Sequence, residues 1–348
     1  IVSKDSYSVK SVRSGEPVEK PVTVIPWDSE LSRKGGYPHY MLKEIHEQPQ
    51  AVRAALNIAR EDIAAVADMI AAAKRVHLLG VGTTYYVALY GLAQLADMDV
   101  STVSSDEFRY LARSDSSSLV LAISQSGETY DTVMSLRHAK ERGAKTAAIV
   151  NVVGSSIARA VDRVILQGSG PEVCVVSTKA ALVQMILLTR LAIELGSRRK
   201  VISAAKRREL EDALAALPAE IETLLNEKSG LIRAAAYRHA KVKNWLFLGR
   251  GIYYPIALEA ALKMKEVTYI HAEGMPGGFL KHGTLSLVDD KLYTLVVVPP
   301  AHCGELHSMT LSSVEEVKAR GGFVFGFSFD DADDLFSDRV VLTAGHDL

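Results

Sequence analysis

The residues that are best suited to bind a ligand form a short polar loop at the end of an apolar strand. The apolar run LVLAI leads directly into loop 124–129 (SQSGET), and an amphipathic helix follows. At the end of a parallel strand, the hydroxyls of Ser124, Ser126 and Thr129 and the amide of Gln125 would lie at a helix N-terminus, where the helix dipole favours an anion. The pattern predicts a phosphate site. The alternative is that serine and threonine only cap the helix, and these residues alone leave both open.

A helix predicted over residues 256–269 carries a charged stripe on an otherwise apolar surface. Glu259, Lys263 and Glu266 are four and three residues apart, so they share one helical face and place an ammonium beside two carboxylates. These groups could serve as acid and base. The alternative is a solvated face, which is the more common reason for charged pairs on a helix.

A glycine-rich segment follows this helix at residues 271–283 (HAEGMPGGFLKHG). We expect a mobile loop there, because glycine and proline interrupt regular structure. The loop carries His282 near its end, and an imidazole can exchange protons close to neutral pH. A lone loop histidine says little by itself, but its place after the charged stripe favours a proton-transfer site.

Two further turns carry hydroxyl groups at predicted helix starts. Thr83 and Thr84 lie in GVGTTY, and Ser177 follows a β-rich stretch at residues 163–176. If all of these turns lie at one edge of the sheet, they would add hydrogen-bond donors for a ligand beside loop 124–129. The alternative is that they are ordinary turns and helix caps. GVGTTY has only two of the three glycines of a dinucleotide fingerprint, and no suitable acidic residue ends the next strand. NAD binding is therefore not expected.

The elements that must position these groups alternate along the chain. Apolar runs are separated by amphipathic stretches, which indicates crossover units and a parallel sheet covered by helices on both faces. Residues 39–72 are predicted to form helices that lead into the first strand near Val76. Residues 200–242 are charged and helical, and we interpret them as a connector.

The same design then recurs later in the chain. Residues 79–89 (LGVGTTYYVAL) align without gaps on residues 248–258 (LGRGIYYPIAL), and residues 139–150 resemble residues 317–328. A repeat of this size predicts two similar units about a pseudo-twofold axis, unless the glycine- and alanine-rich stretches match by chance. The predicted fold class is α/β, with two doubly wound parallel sheets and a helical connector.

The composition limits the class of function. The 348 residues suffice for two domains, 48% are apolar and the net charge is −1, as in a soluble globular protein without a broad basic face for nucleic acid or membrane. Cys174 and Cys303 lie far apart, which fits a reducing, cytoplasmic setting. Residues 180–195 are strongly apolar but contain Arg190, so we predict a buried core helix. No metal or cofactor is expected.

Several motifs together are more specific than any one of them. They are YMLKEIHEQP, EFRY, SQSGET, STKA, LGRG, YPIALEAALKMKE, YIHAEG and LKHG. In this order, from about residue 40 to about residue 322, they resemble the isomerase half of glucosamine-6-phosphate synthase (glutamine–fructose-6-phosphate aminotransferase). That family is built of two sugar-isomerase (SIS) domains with flavodoxin-like sheets and works as a homodimer or larger homo-oligomer.

The resemblance implies a division of the chain. Residues 1–39, which mix proline, glycine and short β-like pieces such as VTVIPW, would be an arm from an N-terminally fused glutaminase domain. Residues 40–225 would form the first SIS domain. Residues 226–348 would form the second, without the family's C-terminal tail.

The resemblance also implies roles for individual residues. Positions that contact the sugar phosphate in the family fall on Thr84, Ser124, Gln125, Ser126, Thr129, Val175 and Ser177. Glu266 matches the general base that moves a proton between C1 and C2 of the open-chain sugar, and Lys263 matches the lysine that assists it. His282 matches the histidine that opens the sugar ring from the neighbouring subunit.

The implied substrate is fructose 6-phosphate. With ammonia from the glutaminase domain the product would be glucosamine 6-phosphate, and without it glucose 6-phosphate. Three departures from the family pattern are Thr84, where serine is usual, and Phe279 and Thr284 beside the histidine. Because the chain stops at Leu348, before the family's tail lysine, we expect no complete amidotransfer and only weak isomerisation.

Two other functions are compatible with the same motifs. One is a stand-alone SIS deaminase or deglycase for an amino-sugar phosphate, and the other is a non-enzymatic sugar-phosphate sensor. The presence of Glu266, Lys263 and His282 together argues against a pure sensor.

Overall fold

The computed structural model describes residues 1–20, 33–95, 98–329 and 335–342. The strands are β1 (Arg75–Gly80), β2 (Val100–Ser104), β3 (Ser118–Ser124), β4 (Lys145–Val150), β5 (Arg163–Leu166), β6 (Asn244–Gly249), β7 (His271–Pro276), β8 (Leu292–Val297), β9 (Phe323–Ser328) and β10 (Asp338–Val341). The helices are α1 (Tyr40–His46), α2 (Gln48–Leu56), α3 (Arg60–Ala72), α4 (Thr83–Gln94), α5 (Phe108–Leu111), α6 (Tyr130–Glu141), α7 (Ser156–Ala160), α8 (Lys179–Arg198), α9 (Ala204–His239), α10 (Tyr253–Thr268) and α11 (Glu305–Ala319). Short 3₁₀ helices span Gly277–His282, Thr284–Leu287 and Ala301–Cys303.

The strands form two five-stranded sheets in which every pair is parallel. Their orders are β2-β1-β3-β4-β5 and β10-β9-β8-β6-β7. If the strands of each unit are numbered from its own start, both orders read second, first, third, fourth, fifth, which is the flavodoxin-like order. The predicted α/β class with two doubly wound sheets is confirmed.

The internal repeat corresponds to equivalent pieces of the two sheets. Residues 79–89 join β1 to α4, and residues 248–258 join β6 to α10. Gly80 and Gly249 each lie against the backbone of the following helix, so a side chain at either position would clash with that first turn. The two equivalent helices, α4 and α10, also pack against each other, as expected for units related by a pseudo-twofold axis.

The first sheet is covered by helices on both faces, and its central strand β3 is buried at every position. Leu119 and Leu121 of β3 face the core formed with α2, α3, α4 and α8, whereas Val120 and Ala122 face the core beneath α6 and α7. Helix α8 is long and apolar enough to cross a membrane, but 67% of its apolar window is buried inside the protein. It packs on α2, α3, α4 and α9, which confirms the predicted core helix.

The predicted helical connector is the single long helix α9, which includes Pro218. Its last residue, His239, inserts its ring among Trp245, Tyr293 and aromatic side chains of β9. The ring also lies 2.8 Å from the carboxylate of Asp338 on β10. The connector is therefore anchored in the second sheet at its C-terminal end by His239, together with Arg238, which also bonds to Asp338.

Segment 271–283 is not the mobile loop that its glycines predict. Residues His271–Pro276 form β7, which pairs with β6 along its whole length, and the following residues form a 3₁₀ helix. Gly274 is needed for close packing, because a side chain there would clash with the backbone of Leu258 on α10. Glycine in a strand often marks such a close approach.

Other differences from the sequence prediction are smaller. Of the stretch 163–176, only Arg163–Leu166 is strand, and α8 begins at Lys179 rather than Ser177. Helix α10 begins three residues before the predicted start, since Pro255 lies in its first turn, where no amide donor is needed. The β-like piece VTVIPW lies outside the described residues. Both Cys174 and Cys303 are free thiols.

Candidate active site

The two units meet where the N-terminus of α4 faces the middle of α10. The Lys263 ammonium on α10 donates to Thr83 Oγ1 on α4 at 2.9 Å, and Thr83 Oγ1 donates to Glu259 Oε1 at 3.1 Å. Lys263 Nζ also lies 3.1 Å from Glu259 Oε1 and 2.8 Å from Glu266 Oε2. The charged stripe is therefore a contact between the units, not a solvated face.

The two carboxylates that flank Lys263 differ in exposure. The side chain of Glu259 is 14% exposed and that of Glu266 is 33% exposed. Burial raises the pKa of Glu259, while the Lys263 charge and the Thr83 hydroxyl lower it in part. Its second oxygen, Oε2, is buried without a hydrogen-bond partner among the described residues. Glu266 is thus the carboxylate with room to reach a bound molecule.

The predicted phosphate loop lies at the carboxyl end of β3, beside the turn that follows β1. The two strands are neighbours in the sheet, with Leu79 paired to Ala122. The Ser124 hydroxyl is buried and accepts from the Gly127 amide at 3.0 Å, so it shapes the loop. Thr129 is the N-cap of α6, yet its side chain makes no capping hydrogen bond within the described structure. The capping alternative therefore does not account for the Thr129 hydroxyl.

Loop 124–129 is held by hydrogen bonds from the N-terminus of α7. The Ile157 amide donates to Gly127 O at 2.9 Å, and the Ser156 amide donates to Glu128 Oε1 at 2.8 Å. Gly127 has φ +66°, and a side chain there would clash with Ser155. Because Glu128 is used in capping α7, the half-buried residues Gln125, Ser126 and Thr129 are the ones left to face a ligand.

The other predicted contact residues have different surroundings. Thr84 Oγ1 donates to Val81 O at 3.0 Å and accepts from Val81 N at 2.9 Å, so it closes its own turn. Ser177 Oγ donates to Glu172 Oε2 at 2.9 Å and can still accept a hydrogen bond from a ligand. Val175 is 95% exposed and covers nothing within this chain.

The third hydroxyl-rich helix start is not an anion site. Glu172 Oε1 accepts from the amides of Thr178 and Ala180 and so caps α8 with a carboxylate. That negative charge occupies the place where a phosphate would bind. Ser177 can therefore contribute only as a hydroxyl beside the site.

His282 forms no hydrogen bond or ion pair with the Lys263 cluster (Thr83, Glu259, Lys263 and Glu266) within the described structure. It is exposed at the end of the 3₁₀ helix after β7, and its ring centroid lies 6.1 Å from that of Phe279. No hydrogen bond described within this chain joins it to Glu266. Nor do the described residues include a group of three His, Cys, Asp or Glu side chains arranged to hold a metal ion.

The sequence predicts the stripe but not which of its carboxylates is buried. The predicted site residues do not include Glu259, which is the more buried carboxylate, and the family resemblance assigns a contact to Thr84 and none to Thr83, which is the threonine bonded to Lys263. The signal for Glu259 was its spacing of four from Lys263. No sequence signal distinguishes the two adjacent threonines, because only packing decides which one faces α10.

The chain is similar to proteins of a described family. A model of the SIS domain matches residues 69–194 and 239–334. The C-terminal domain of glucosamine-fructose-6-phosphate aminotransferase from Francisella tularensis superposes with a TM-score of 0.82 and 34% identity, over 90% of this chain and 91% of that one.

Longer relatives show the same similarity. The glutamine–fructose-6-phosphate aminotransferase (isomerizing) of Thermococcus kodakarensis is 41% identical over 98% of this chain and 57% of its own length. That of Methanococcus maripaludis is 39% identical over 93% of this chain and 53% of its own length. The chain thus spans about half the length of the curated relatives that it matches.

Proposed function

The chain belongs to the SIS-domain family, and we propose that it is the sugar-phosphate isomerase half of a glutamine–fructose-6-phosphate aminotransferase. The observation that carries the proposal is the Lys263 cluster between the units. It puts a charged acid/base group next to the turn after β1, and that turn is the neighbour of the SQSGET loop. A phosphate anchor and proton-transfer groups at one junction are what ketose–aldose isomerisation of a sugar phosphate needs.

Loop 124–129 would bind the phosphate of fructose 6-phosphate. Gln125, Ser126 and Thr129 offer neutral donors at the N-terminus of α6, so the helix dipole supplies the attraction for the anion. Ser124 fixes the loop through the Gly127 amide. Thr84 braces the adjacent turn, while Val175 and Ser177 would contact the sugar from the loop before α8.

Glu266 would move the proton between C1 and C2 of the open-chain sugar. It is the more exposed carboxylate of the stripe, and its Oε2 forms an ion pair with Lys263 Nζ at 2.8 Å. Glu259, which is more buried, would hold Lys263 in place together with Thr83. Removal of a proton from C1 and its return to C2, with transfer of a hydroxyl proton from O1 to O2, would convert the ketose into the aldose.

The products and partners follow from this assignment. Without ammonia the product would be glucose 6-phosphate; with ammonia from a glutaminase domain fused before residue 40 it would be glucosamine 6-phosphate. The arm would comprise residues 1–39, and the two SIS domains residues 40–225 and 226–348. The protein would act in the cytoplasm, as a homodimer or larger homo-oligomer.

Turnover of fructose 6-phosphate tests the proposal directly. The chain is incubated with this sugar and glucose 6-phosphate is followed with a coupled dehydrogenase, for wild type, Glu266→Gln and the exposed control Glu273→Gln. We expect Glu266→Gln to lose at least about 10²-fold in turnover while binding the sugar, and Glu273→Gln to match wild type. Equal product from wild type and Glu266→Gln would remove Glu266 from the mechanism. A wild type that neither binds nor turns over the sugar would refute the function.

His282 would open the sugar ring from a neighbouring subunit, which fits its exposure and the absence of a described bond between it and the Lys263 cluster. If so, His282→Ala and Glu266→Gln should each be inactive, and mixed subunits should regain activity because hybrids contain one complete site. Sedimentation should show a dimer or larger species. A strict monomer with wild-type activity would contradict a shared site.

A further inference from the structure

Two motifs, KEIHEQP and STKA, meet around the irregular segment before α8, and the proposed mechanism gives a role to none of their residues except Ser177. Residues 167–178 form neither helix nor strand. Glu44 of α1 reaches this segment from 129 residues away in sequence, and its Oε1 accepts from the Val173 amide at 2.6 Å. The Cys174 amide donates to the same carboxylate, at 3.2 Å to Oε1 and 3.3 Å to Oε2.

Glu44 is dedicated to these two amides. It is fully buried, yet both neighbouring lysines bond to another carboxylate, because Lys43 Nζ and Lys179 Nζ lie 2.9 and 2.7 Å from Glu47. Burial raises the pKa of Glu44, and the backbone hydrogen bonds lower it in part. A carboxylate that is buried to bind two consecutive backbone amides fixes the path of the chain at that point.

A second carboxylate fixes the other end of the segment. Glu172 accepts from the amides of Thr178 and Ala180 and from the hydroxyl of Ser177. The backbone between these two anchors has only one buried side chain, Val176. The residues that project from it are Val175, which is 95% exposed, and Ser177.

We infer that Glu44 is a positioning residue for the sugar: its carboxylate clamps the backbone at Val173 and Cys174, so that Val175 and Ser177 are held ready to contact the substrate. This inference rests on the proposed function, which assigns both residues to the sugar. A segment without regular structure would otherwise lose conformational freedom when the sugar binds. A clamp that orders it in advance removes that penalty from binding.

The clamp should affect the sugar and not the phosphate. The phosphate is assigned to loop 124–129, which α7 holds through Gly127 and Glu128, with no contribution from α1. In Glu44→Gln, the amide NH₂ would oppose the Cys174 N–H, donor against donor, so the loop should loosen locally. Glu44→Asp keeps the charge but is one methylene short of the loop.

The experiment compares wild type, Glu44→Gln, Glu44→Asp and Glu61→Gln, an exposed glutamate on α3. Calorimetry measures the Kd for fructose 6-phosphate and, separately, for inorganic phosphate. We expect both Glu44 variants to weaken sugar-phosphate binding about tenfold and to leave phosphate binding within about twofold. The Glu61 variant should bind both as wild type does.

Amide hydrogen exchange locates the effect. The Val173 and Cys174 amides should exchange at least about tenfold faster in the Glu44 variants, whereas Thr178 and Ala180, held by Glu172, should keep their protection. Unchanged exchange at residues 173 and 174, or an equal loss of sugar-phosphate and phosphate affinity, would overturn the inference. A wild type that binds phosphate but not fructose 6-phosphate would instead overturn the proposed function, and the exchange rates would still decide whether the clamp exists.

Discussion

Lys263 of the second unit donates a hydrogen bond to the hydroxyl of Thr83 in the first, at 2.9 Å. An ammonium has three donors, and the structure supplies three acceptors: Thr83, Glu259 at 3.1 Å and Glu266 at 2.8 Å. Thr83 in turn donates to Glu259. The network fixes the position of the ammonium, and its two Thr83 hydrogen bonds exist only when the two units are packed together.

Thr83→Val should therefore lower isomerase activity although Thr83 is not one of the charged groups. The substitution removes one acceptor from Lys263 and the only hydroxyl donor described for Glu259. We expect turnover of fructose 6-phosphate to fall about tenfold, in line with the loss of one hydrogen bond to a charged group. Thr83→Ser keeps the hydroxyl and should restore most of the rate. Equal rates for all three proteins would show that Lys263 does not depend on this bond.

Gly127→Ala should damage the phosphate loop for two separable reasons. Gly127 has φ +66°, which costs roughly 1–2 kcal/mol for a residue with a side chain, and its added methyl group would clash with Ser155. Gly154 has the same φ of +66° with open space around it, so Gly154→Ala reports the backbone cost alone. Urea unfolding should rank Gly127→Ala below Gly154→Ala in stability, and only the former should weaken phosphate binding. Equal effects would mean that Ser155 yields without disturbing the loop.

Glu259 should make the protein less stable as the pH rises. Burial is the main cause that raises its pKa, so the folded protein binds the proton more tightly than the unfolded chain. The contribution of Glu259 to stability therefore falls as the pH rises from the unfolded value, about 4.3, through the higher folded value. Glu259→Gln removes this slope, so urea unfolding between about pH 4 and 8 should show wild type losing stability relative to the variant. The exposed control Glu273→Gln should run parallel to wild type, and a constant difference for Glu259→Gln would contradict the shift.

Asp338 should show the opposite pH dependence. Burial raises its pKa, but hydrogen bonds from His239 and Arg238 outweigh burial, and the net shift is downward. Its stabilising effect is then present above the unfolded pKa of about 3.9 and is lost as the pH falls toward the folded value. Asp338→Asn should lower the thermal midpoint at pH 7, and the difference should shrink below about pH 4. The exposed control Asp290→Asn should have no such pattern; a midpoint unchanged by Asp338→Asn would show that α9 is anchored without this pair.

Local sequence patterns were sufficient to predict the two sheets and the place of loop 124–129 at the end of a strand. β3 is buried at every position and apolar from Leu119 to Ile123 because helices cover both faces of its sheet, and that apolar run is visible without coordinates. The gapless match of residues 79–89 to 248–258 predicted the duplicated α/β unit, since each piece is one strand–turn–helix unit. The spacing of Glu259, Lys263 and Glu266 gave their common face, because helical geometry is local.

Tertiary packing alone decided which of these residues do what. Thr83 and Thr84 are adjacent and chemically identical, yet one contacts a residue 180 positions away and the other bonds only its own turn. Segment 271–283 has the composition of a loop but is ordered by β6 and α10, and Glu44 is committed to amides 129 and 130 positions away. Burial and long-range hydrogen bonds depend on which surfaces meet, and that depends on the whole chain, so no local pattern encodes them.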